Sequence, residues 1–233
     1  MHTRSLIWQD TLVSLCYDRP PGITVLETVP FLPPAIPGDD HLYTFSDSCH
    51  YLFMTANKIV QALDYAKSSQ QLLPPETILD YRRALNAIES RSVPHVQDIS
   101  KCQSRDDCIQ HYFFRTFSDS VMLCLCRPAV LALDGQRQDE LTDIYLSRCR
   151  SVLQTYLELL KLQCPIRKSW LFVHITLSCA LIFGMATKRQ SNPRDEVFLI
   201  QFFNTLSQTS ICTGVPAYQT AFDRLKKLLD GCE

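Results

Sequence analysis

The sequence predicts an all-α fold of about eight helices, packed in one multi-helical bundle-like domain that covers residues 1–233. Apolar residues recur three and four positions apart along most of the chain, which is the period of an amphipathic helix. The thirteen prolines mostly separate these periodic segments, and only six glycines are present to make tight turns. With 46% hydrophobic residues, the chain can bury a sizeable core.

The first predicted helix ends in a rigid turn. Its apolar face is formed by Trp8, Leu12, Leu15 and Cys16. Pro20 disfavours the helical conformation at Arg19, and Pro21 reinforces the stop. The charge of Arg19 suits the negative end of the helix. Residues 20–43, which hold six prolines, should therefore be irregular.

Seven further helices are expected, at 46–68, 75–90, 106–126, 138–163, 170–186, 193–206 and from 216 onward. Residues 91–104 read as a polar loop around Pro94. The helix that starts at Asp106 is apolar almost all round, so it should be central and buried. We expect it to end at Arg127-Pro128.

The charge pattern argues against direct, specific DNA binding by this chain. The formal net charge is −1 and the sequence pI is about 6.6, whereas a nucleic-acid binder usually carries a basic patch. The run from Trp170 to Ala186 approaches the length of a membrane span. His174 and other polar residues interrupt it, so a central bundle helix and no membrane partner are expected.

The eleven cysteines predict free thiols in a reducing compartment. Several lie within apolar helical runs, where cysteine acts as a small core residue, and no signal peptide is expected at the start. The chain has no Cys-x-x-Cys motif. Cys124 and Cys126 are too close for zinc-finger spacing, and Cys102 and Cys108 have no second pair nearby.

Three weak polar clusters remain, and each has a structural explanation that is favoured over chemistry. The clusters are Asp39-Asp40-His41, Asp139-Glu140 with Asp143, and His174 alone. The first is typical of a loop turn, the second of the acidic first turn of a helix, and the third of a hydrogen-bonded core histidine. No catalytic, cofactor-binding or metal-binding residue is therefore predicted, and the chain is expected not to be an enzyme.

Two stretches carry a family resemblance. The first consists of Trp8, Asp10, Ser14, Leu15, Asp18, Arg19, Pro20 and Pro21; the second consists of Leu125, Cys126, Arg127, Pro128 and Leu131. Together they resemble the middle homology region of fungal binuclear zinc-cluster transcription factors. Residues 148–153 are similar to that family's Cys-x-x-Ala-Ala helix but lack its alanines.

The resemblance implies an all-helical regulatory domain, corresponding to the C-terminal part of that region. A regulatory or ligand-responsive role in the nucleus would follow, or in the cytosol if the protein has no DNA-binding head. The family's zinc cluster is absent from the chain, so no cofactor is expected. The implied partners are the transcription machinery or a second copy of the chain.

Two alternatives stay open: a protein that binds a hydrophobic small molecule, and a repurposed enzyme of secondary metabolism. Helical bundles readily form apolar pockets. The aromatic residues that could line one are Trp8, Phe53, Phe113, Phe117, Trp170 and Phe172. Among the candidates for such a pocket, Trp170 and His174 are singled out, although core packing explains the aromatic residues equally well.

Overall fold

The computed structural model describes residues 2–17, 19–22, 41–132, 138–190, 192–209 and 215–230. Within these ranges the protein is helical and contains no β-strand, which confirms the all-α prediction. Its one isolated bridge pairs Tyr43 with Ser92. There the backbone N–H of Tyr43 donates to Arg91 O, and the Val93 N–H donates to Tyr43 O, at 2.7 and 2.9 Å.

Nine α-helices lie in the described ranges, and eight of them have seven or more residues. They are α1 (His2–Tyr17), α2 (Phe45–Ser68), α3 (Pro75–Arg91), α4 (Pro94–Gln97), α5 (Arg105–Ala132), α6 (Gln138–Lys161), α7 (Trp170–Gln190), α8 (Pro193–Ser207) and α9 (Pro216–Asp230). The short α4 and a 3₁₀ turn lie where a loop was predicted. Pro94 suits the first position of α4, and Val96 is buried.

The predicted end of α5 at Arg127-Pro128 is wrong. The helix continues through Pro128 and ends at Ala132. A proline has no N–H to give to the carbonyl four residues earlier, and its ring crowds that carbonyl, so the helix continues at a cost of about 3 kcal/mol that packing must offset. Contact between α5 and the helices α2, α3 and α4 holds it in place.

The chain divides into two compact units, Met1–Leu141 and Thr142–Glu233. The single 1–233 domain stays a prediction. In the first unit, α2 and α5 pack together, while α1 packs on α2, and α3 and α4 pack on α5. Phe53, Phe117 and Val121 are fully buried there. Together, these contacts place α5 centrally within this unit, as its apolar sequence predicts.

The buried face of α1 differs from the predicted apolar face. Thr11 and Ser14 are almost completely buried, whereas the four predicted residues are half-buried. The Oγ1 of Thr11 accepts a hydrogen bond from Asn57 Nδ2 at 3.1 Å, and Ser14 Oγ donates to the carbonyl of Asp10 at 2.8 Å. These bonds allow small hydroxyl groups to be buried at little cost, which an apolar period does not reveal.

In the second unit, α7 packs against α8 and α9. It is the one helix in the described ranges that is long and apolar enough to span a membrane, over Trp170–Lys188. More than half of that window is buried inside the protein, which is typical of a core helix. Arg150 of α6 forms an ion pair with Asp195 of α8 and lies over the Phe198 ring.

Candidate functional site

A cleft of about 300 Å³ lies in the first unit, where α1, α2 and α5 meet. This volume falls at the lower end of the range of small-molecule sites. Its lining residues are Ser14, Arg19, Val60, Leu63, Asp64, Ala66, Lys67, Gln71, Leu72, Leu73, Cys124, Arg127 and Pro128. The cleft is thus built by the end of α1, the last turns of α2 with the segment that follows, and the last turns of α5.

Arg19 is fixed on the cleft by the turn that follows α1. Its Nη2 donates to Asp10 Oδ1 at 2.9 Å, and its Nη1 donates to the carbonyl of Pro20 at 3.2 Å. The backbone N–H of Arg19 also points to Ser14 O, at a long 3.4 Å. Arg19 was expected to act as a cation at the end of α1. Its side chain also pairs with Asp10, which lies about two turns before the end of that helix.

The segment that closes the cleft leaves α2 through a left-handed residue. Gln70 has φ 53°, in the left-handed region that residues other than glycine seldom adopt. The N–H of Gln71 donates to Ala66 O at 2.8 Å, which caps the helix end. This turn brings Leu72 and Leu73 to the cleft before Pro75 starts α3.

The cleft wall combines apolar groups with an excess of basic ones. The apolar side chains are Val60, Leu63, Ala66, Leu72, Leu73 and Pro128. Arg19, Lys67 and Arg127 supply three cationic groups, and Asp64 is the one carboxylate among the lining residues. An apolar pocket with a few polar groups is the usual composition of a small-molecule site.

Four of the thirteen motif residues meet at this cleft. Ser14, Arg19, Arg127 and Pro128 line it, although the two stretches lie far apart in the sequence. Asp10 holds Arg19. Of the other motif residues, Trp8 packs on Phe53 with ring centroids 5.3 Å apart, Pro20 and Pro21 follow Arg19, Leu15 is half-buried, and Leu125 and Cys126 are buried. Asp18 lies outside the described residues, as does the side chain of Leu131.

Sequence reasoning missed the contribution of α2. Asp64 and Lys67 fall inside the predicted helix 46–68, and Gln71, Leu72 and Leu73 in the segment between that helix and the next, where the sequence indicates no site. The available signal was the Pro74-Pro75 pair, which restricts the chain immediately after two leucines. Leucines beside such a break are candidates for a segment that folds back on its own helix.

Trp170 and His174, the residues singled out as possible pocket residues, lie in the second unit on α7. Trp170 is 44% exposed, and its carbonyl accepts a hydrogen bond from the Tyr218 hydroxyl at 3.0 Å. His174 is half-buried. Neither lines the cleft or the smaller cavity of about 170 Å³ beside Gly184. A pocket at these two residues stays a prediction.

The other aromatic candidates pack against one another. Centroids are 5.5 Å apart for Phe53 and Phe117, and 4.6 Å apart for Phe113 and Phe117. In the second unit, Phe172 is buried. None of these residues is among those that line the cleft. Core packing therefore accounts for them, as the simpler interpretation of the sequence had it.

The acidic clusters give no metal centre in the part of the chain that is described, where no group of three or more His, Cys, Asp or Glu side chains could hold an ion. Asp39 and Asp40 lie outside the described residues, and His41 is exposed. The side chains of Asp139 and Glu140 also lie outside them, and Asp143 is exposed.

The described cysteines are free thiols, and the pKa values of three of them are raised. Burial raises the pKa of Cys49 to about 12. It raises the pKa of Cys16 to about 12 as well, with a smaller contribution from the neighbouring Cys124. Burial and the adjacent Cys108 do the same for the pKa of Cys102. These three thiols are protonated at neutral pH, and the thiolate is the reactive form.

The fold and the cleft define an all-α protein with a basic, partly apolar cleft of small-molecule size. Comparison with models of protein families, with curated proteins and with solved structures finds no match for the chain. The function is therefore inferred from the cleft and from the motif residues that line it.

Proposed function

We propose that this chain is a ligand-responsive regulatory domain of a fungal transcription regulator of the zinc-cluster type, with no DNA-binding motif of its own in these 233 residues. One observation carries the proposal. Ser14, Arg19, Arg127 and Pro128, which the family resemblance selects from two distant stretches, line the same cleft. If each of these residues only stabilised its own helix end, they would not need to line the same cleft. Binding of a ligand in that cleft would explain why they do.

The position of the cleft suits a regulatory response. Its wall is shared by α1, α2 and α5, so a bound molecule would touch all three helices at once. A ligand that binds the folded arrangement stabilises it by mass action. If the domain has two arrangements of these helices, the ligand shifts the population toward the one it binds better. In this proposal, the change in helix arrangement alters the activity of a neighbouring activation region.

In this proposal the protein works in the nucleus, with the transcription machinery or a second copy as partner. The second candidate function is a small-molecule-binding protein that acts outside transcription, in the cytosol. The cleft volume and its apolar lining favour this candidate as well, because they fit a ligand whatever the downstream effect.

A reporter assay separates the two. The whole chain is placed between an unrelated DNA-binding domain and an activation domain, and reporter output is compared with that of an unrelated helical insert of the same length. A regulatory domain should change the output. Ala66→Leu, which adds bulk to the cleft wall, should change it again. Ala62→Leu on the same helix lies outside the lining set and is the matched control.

Protein abundance is followed on blots so that loss of folding is not mistaken for regulation. An output equal to that of the unrelated insert, and unchanged by Ala66→Leu, would rule out the regulatory proposal. It would leave the small-molecule-binding candidate standing.

A further inference from the structure

We infer that the cleft binds a small carboxylic acid with an apolar body. This inference deepens the proposed function, since it rests on the cleft being a ligand site and names the ligand's class. Charge, hydrogen-bonding capacity and volume each restrict the ligand, and together they point to this chemistry.

The charge of the lining favours an anion. Arg19, Lys67 and Arg127 face a single lining carboxylate, Asp64. Asp64 and Asp10, which pairs with Arg19, balance two of the three basic groups, so one positive charge is in excess. Lys67 and Arg127 also have contacts within the protein, so a ligand would add to those contacts rather than depend on bare cations. An excess of one sign of charge on a cleft wall attracts ligands of the opposite sign.

The basic groups can also supply the hydrogen bonds that a carboxylate needs. A guanidinium has five N–H donors in a planar fork. The two side-chain bonds of Arg19, to Asp10 and to the carbonyl of Pro20, occupy only part of this capacity. Arg127 brings a second guanidinium to the same wall. Guanidinium groups match planar carboxylates in shape, and such charge-assisted bonds are stronger than neutral ones.

The apolar part of the wall favours a ligand with an apolar body of limited size. Leu63, Leu72 and Leu73 offer no hydrogen bond to a second polar group. The cleft volume of about 300 Å³ equals the share of about ten water molecules at ~30 Å³ each. The ligand should therefore have on the order of ten non-hydrogen atoms, if each needs about the space of one water. Octanoate has this size and this chemistry.

The test is calorimetric titration of the full chain with octanoate and three matched probes. Octanol keeps the apolar body and removes the charge, octylamine reverses the charge, and acetate keeps only the carboxylate. We expect octanoate to bind, octanol to bind more weakly, and octylamine and acetate to give no measurable binding. The affinity for octanoate should also fall as salt is added.

Two variants identify the basic side chains that bind the carboxylate. Arg127→Met should lower octanoate affinity about tenfold or more, as expected for the loss of a hydrogen bond to a charged group, and leave octanol affinity unchanged. Lys67→Met, at an exposed position, gives a second measurement if Arg127→Met disturbs folding. Arg83→Met is the control, since Arg83 is exposed on α3 and pairs with Asp80 away from the lining set.

Three results would overturn the inference: no binding of octanoate, equal binding of octanol and octanoate, or octanoate binding that neither cleft variant weakens. The reporter response to Ala66→Leu does not depend on which probe binds. Failure of the carboxylate assignment and failure of the regulatory proposal are therefore separate outcomes.

Discussion

Arg19 and Asp10 are nine positions apart in the chain, and their side chains are joined by an ion pair of 2.9 Å. α1 ends at Tyr17, and Pro20 disfavours the helical conformation at Arg19, whose side chain lies back alongside its own helix. The pair places a cation on the wall of the cleft. It also ties the two halves of the first motif, the helix and its stop, into one local structure.

Asp10→Asn should lower the free energy of unfolding by roughly 0.5–1 kcal/mol, and the difference should shrink at high salt. The value is small because the Arg19 side chain is 43% exposed and solvent screens the pair. Urea unfolding at low and high salt measures it. Asp80→Asn is the control, because its pair with Arg83 is exposed on both sides and should contribute almost nothing.

A salt-independent loss for Asp10→Asn would contradict this explanation. It would assign the role of Asp10 to its other contacts instead of to the charge of Arg19.

Arg115 of α5 pairs with Glu89 of α3 and also lies against a buried carboxylate on its own helix. Asp119 has no exposed side-chain surface, and its Oδ2 lies 3.2 Å from Arg115 Nε, as an ion pair without good hydrogen-bond alignment. The Nη1 of Arg115 reaches Glu89 Oε1 on α3 at 3.0 Å. Arg115→Met should cost about 2–3 kcal/mol of unfolding free energy, because it removes a cation that lies against the buried carboxylate. The loss should lie below that of a fully buried ion pair, because the Arg115 side chain is 34% exposed and solvent screens its charge.

Denaturant unfolding of three variants tests this assignment. Arg115→Met with Asp119→Asn should recover much of the loss, since the buried charge is then removed. Arg83→Met, on the exposed face of α3, should be close to neutral. If the double variant is as unstable as Arg115→Met alone, the packing of the arginine stem explains the loss better than its charge does.

The periodic pattern was sufficient to predict the helices but not the cleft. The starts of α3 and α8 follow from Pro75 and from Asn192-Pro193, whose local chemistry acts within one turn. Whether α5 stops at Pro128 depends on packing along the whole helix, which no local signal contains. The burial of Thr11 depends on Asn57, a partner in another helix.

The candidate site was predicted only in part, because its residues are brought together by packing between helices, which no local signal contains. Motif resemblance identified Arg19 and Arg127 but could not state that they share a wall. Lys67 carries no sequence signal that separates it from an ordinary helix-end lysine. Its position at the cleft follows only from how α2 packs against α1 and α5.

His111 makes the stability of the first unit depend on pH. Its Nδ1–H donates to the carbonyls of His95 and Val96 at 3.1 and 3.0 Å. Burial lowers the pKa of His111 below its usual value of about 6.5, although these carbonyl contacts act in the opposite direction. As pH falls through about 6.5, the unfolded chain therefore binds a proton that the folded protein resists. Stability should decline in that window and level off below the folded-state pKa.

Urea unfolding at pH values above and below about 6.5, compared for the unaltered chain and His111→Gln, measures this pH dependence. The variant should be less stable at neutral pH but have a flatter pH dependence. His41→Gln is the control because His41 is exposed. A pH dependence that is equally steep in His111→Gln would show that other groups control it.

Gly184 lies where α7 packs against α8 and α9, and its missing side chain permits that approach. A Cβ at this position would overlap Cδ2 of Leu228 and stand 3.0 Å from Cδ2 of Leu199. Both leucines are buried. Gly184→Ala should therefore cost about 1 kcal/mol of unfolding free energy, an overpacking cost of roughly 1–3 kcal/mol offset by about 1 kcal/mol of helix propensity. Met185→Ala, at an exposed position in the same helix, should be close to neutral.

A double-mutant cycle with Leu228→Ala determines whether steric overlap is the cause. Leu228→Ala alone should cost about 2–5 kcal/mol, because it removes a buried side chain and leaves a cavity. In that background the overlap is relieved and only the helix propensity of alanine remains. Gly184→Ala should then be neutral or stabilising by up to about 1 kcal/mol. If Gly184→Ala costs the same in both backgrounds, Leu228 is not the residue that requires glycine, and the contact with Leu199 becomes the one to relieve.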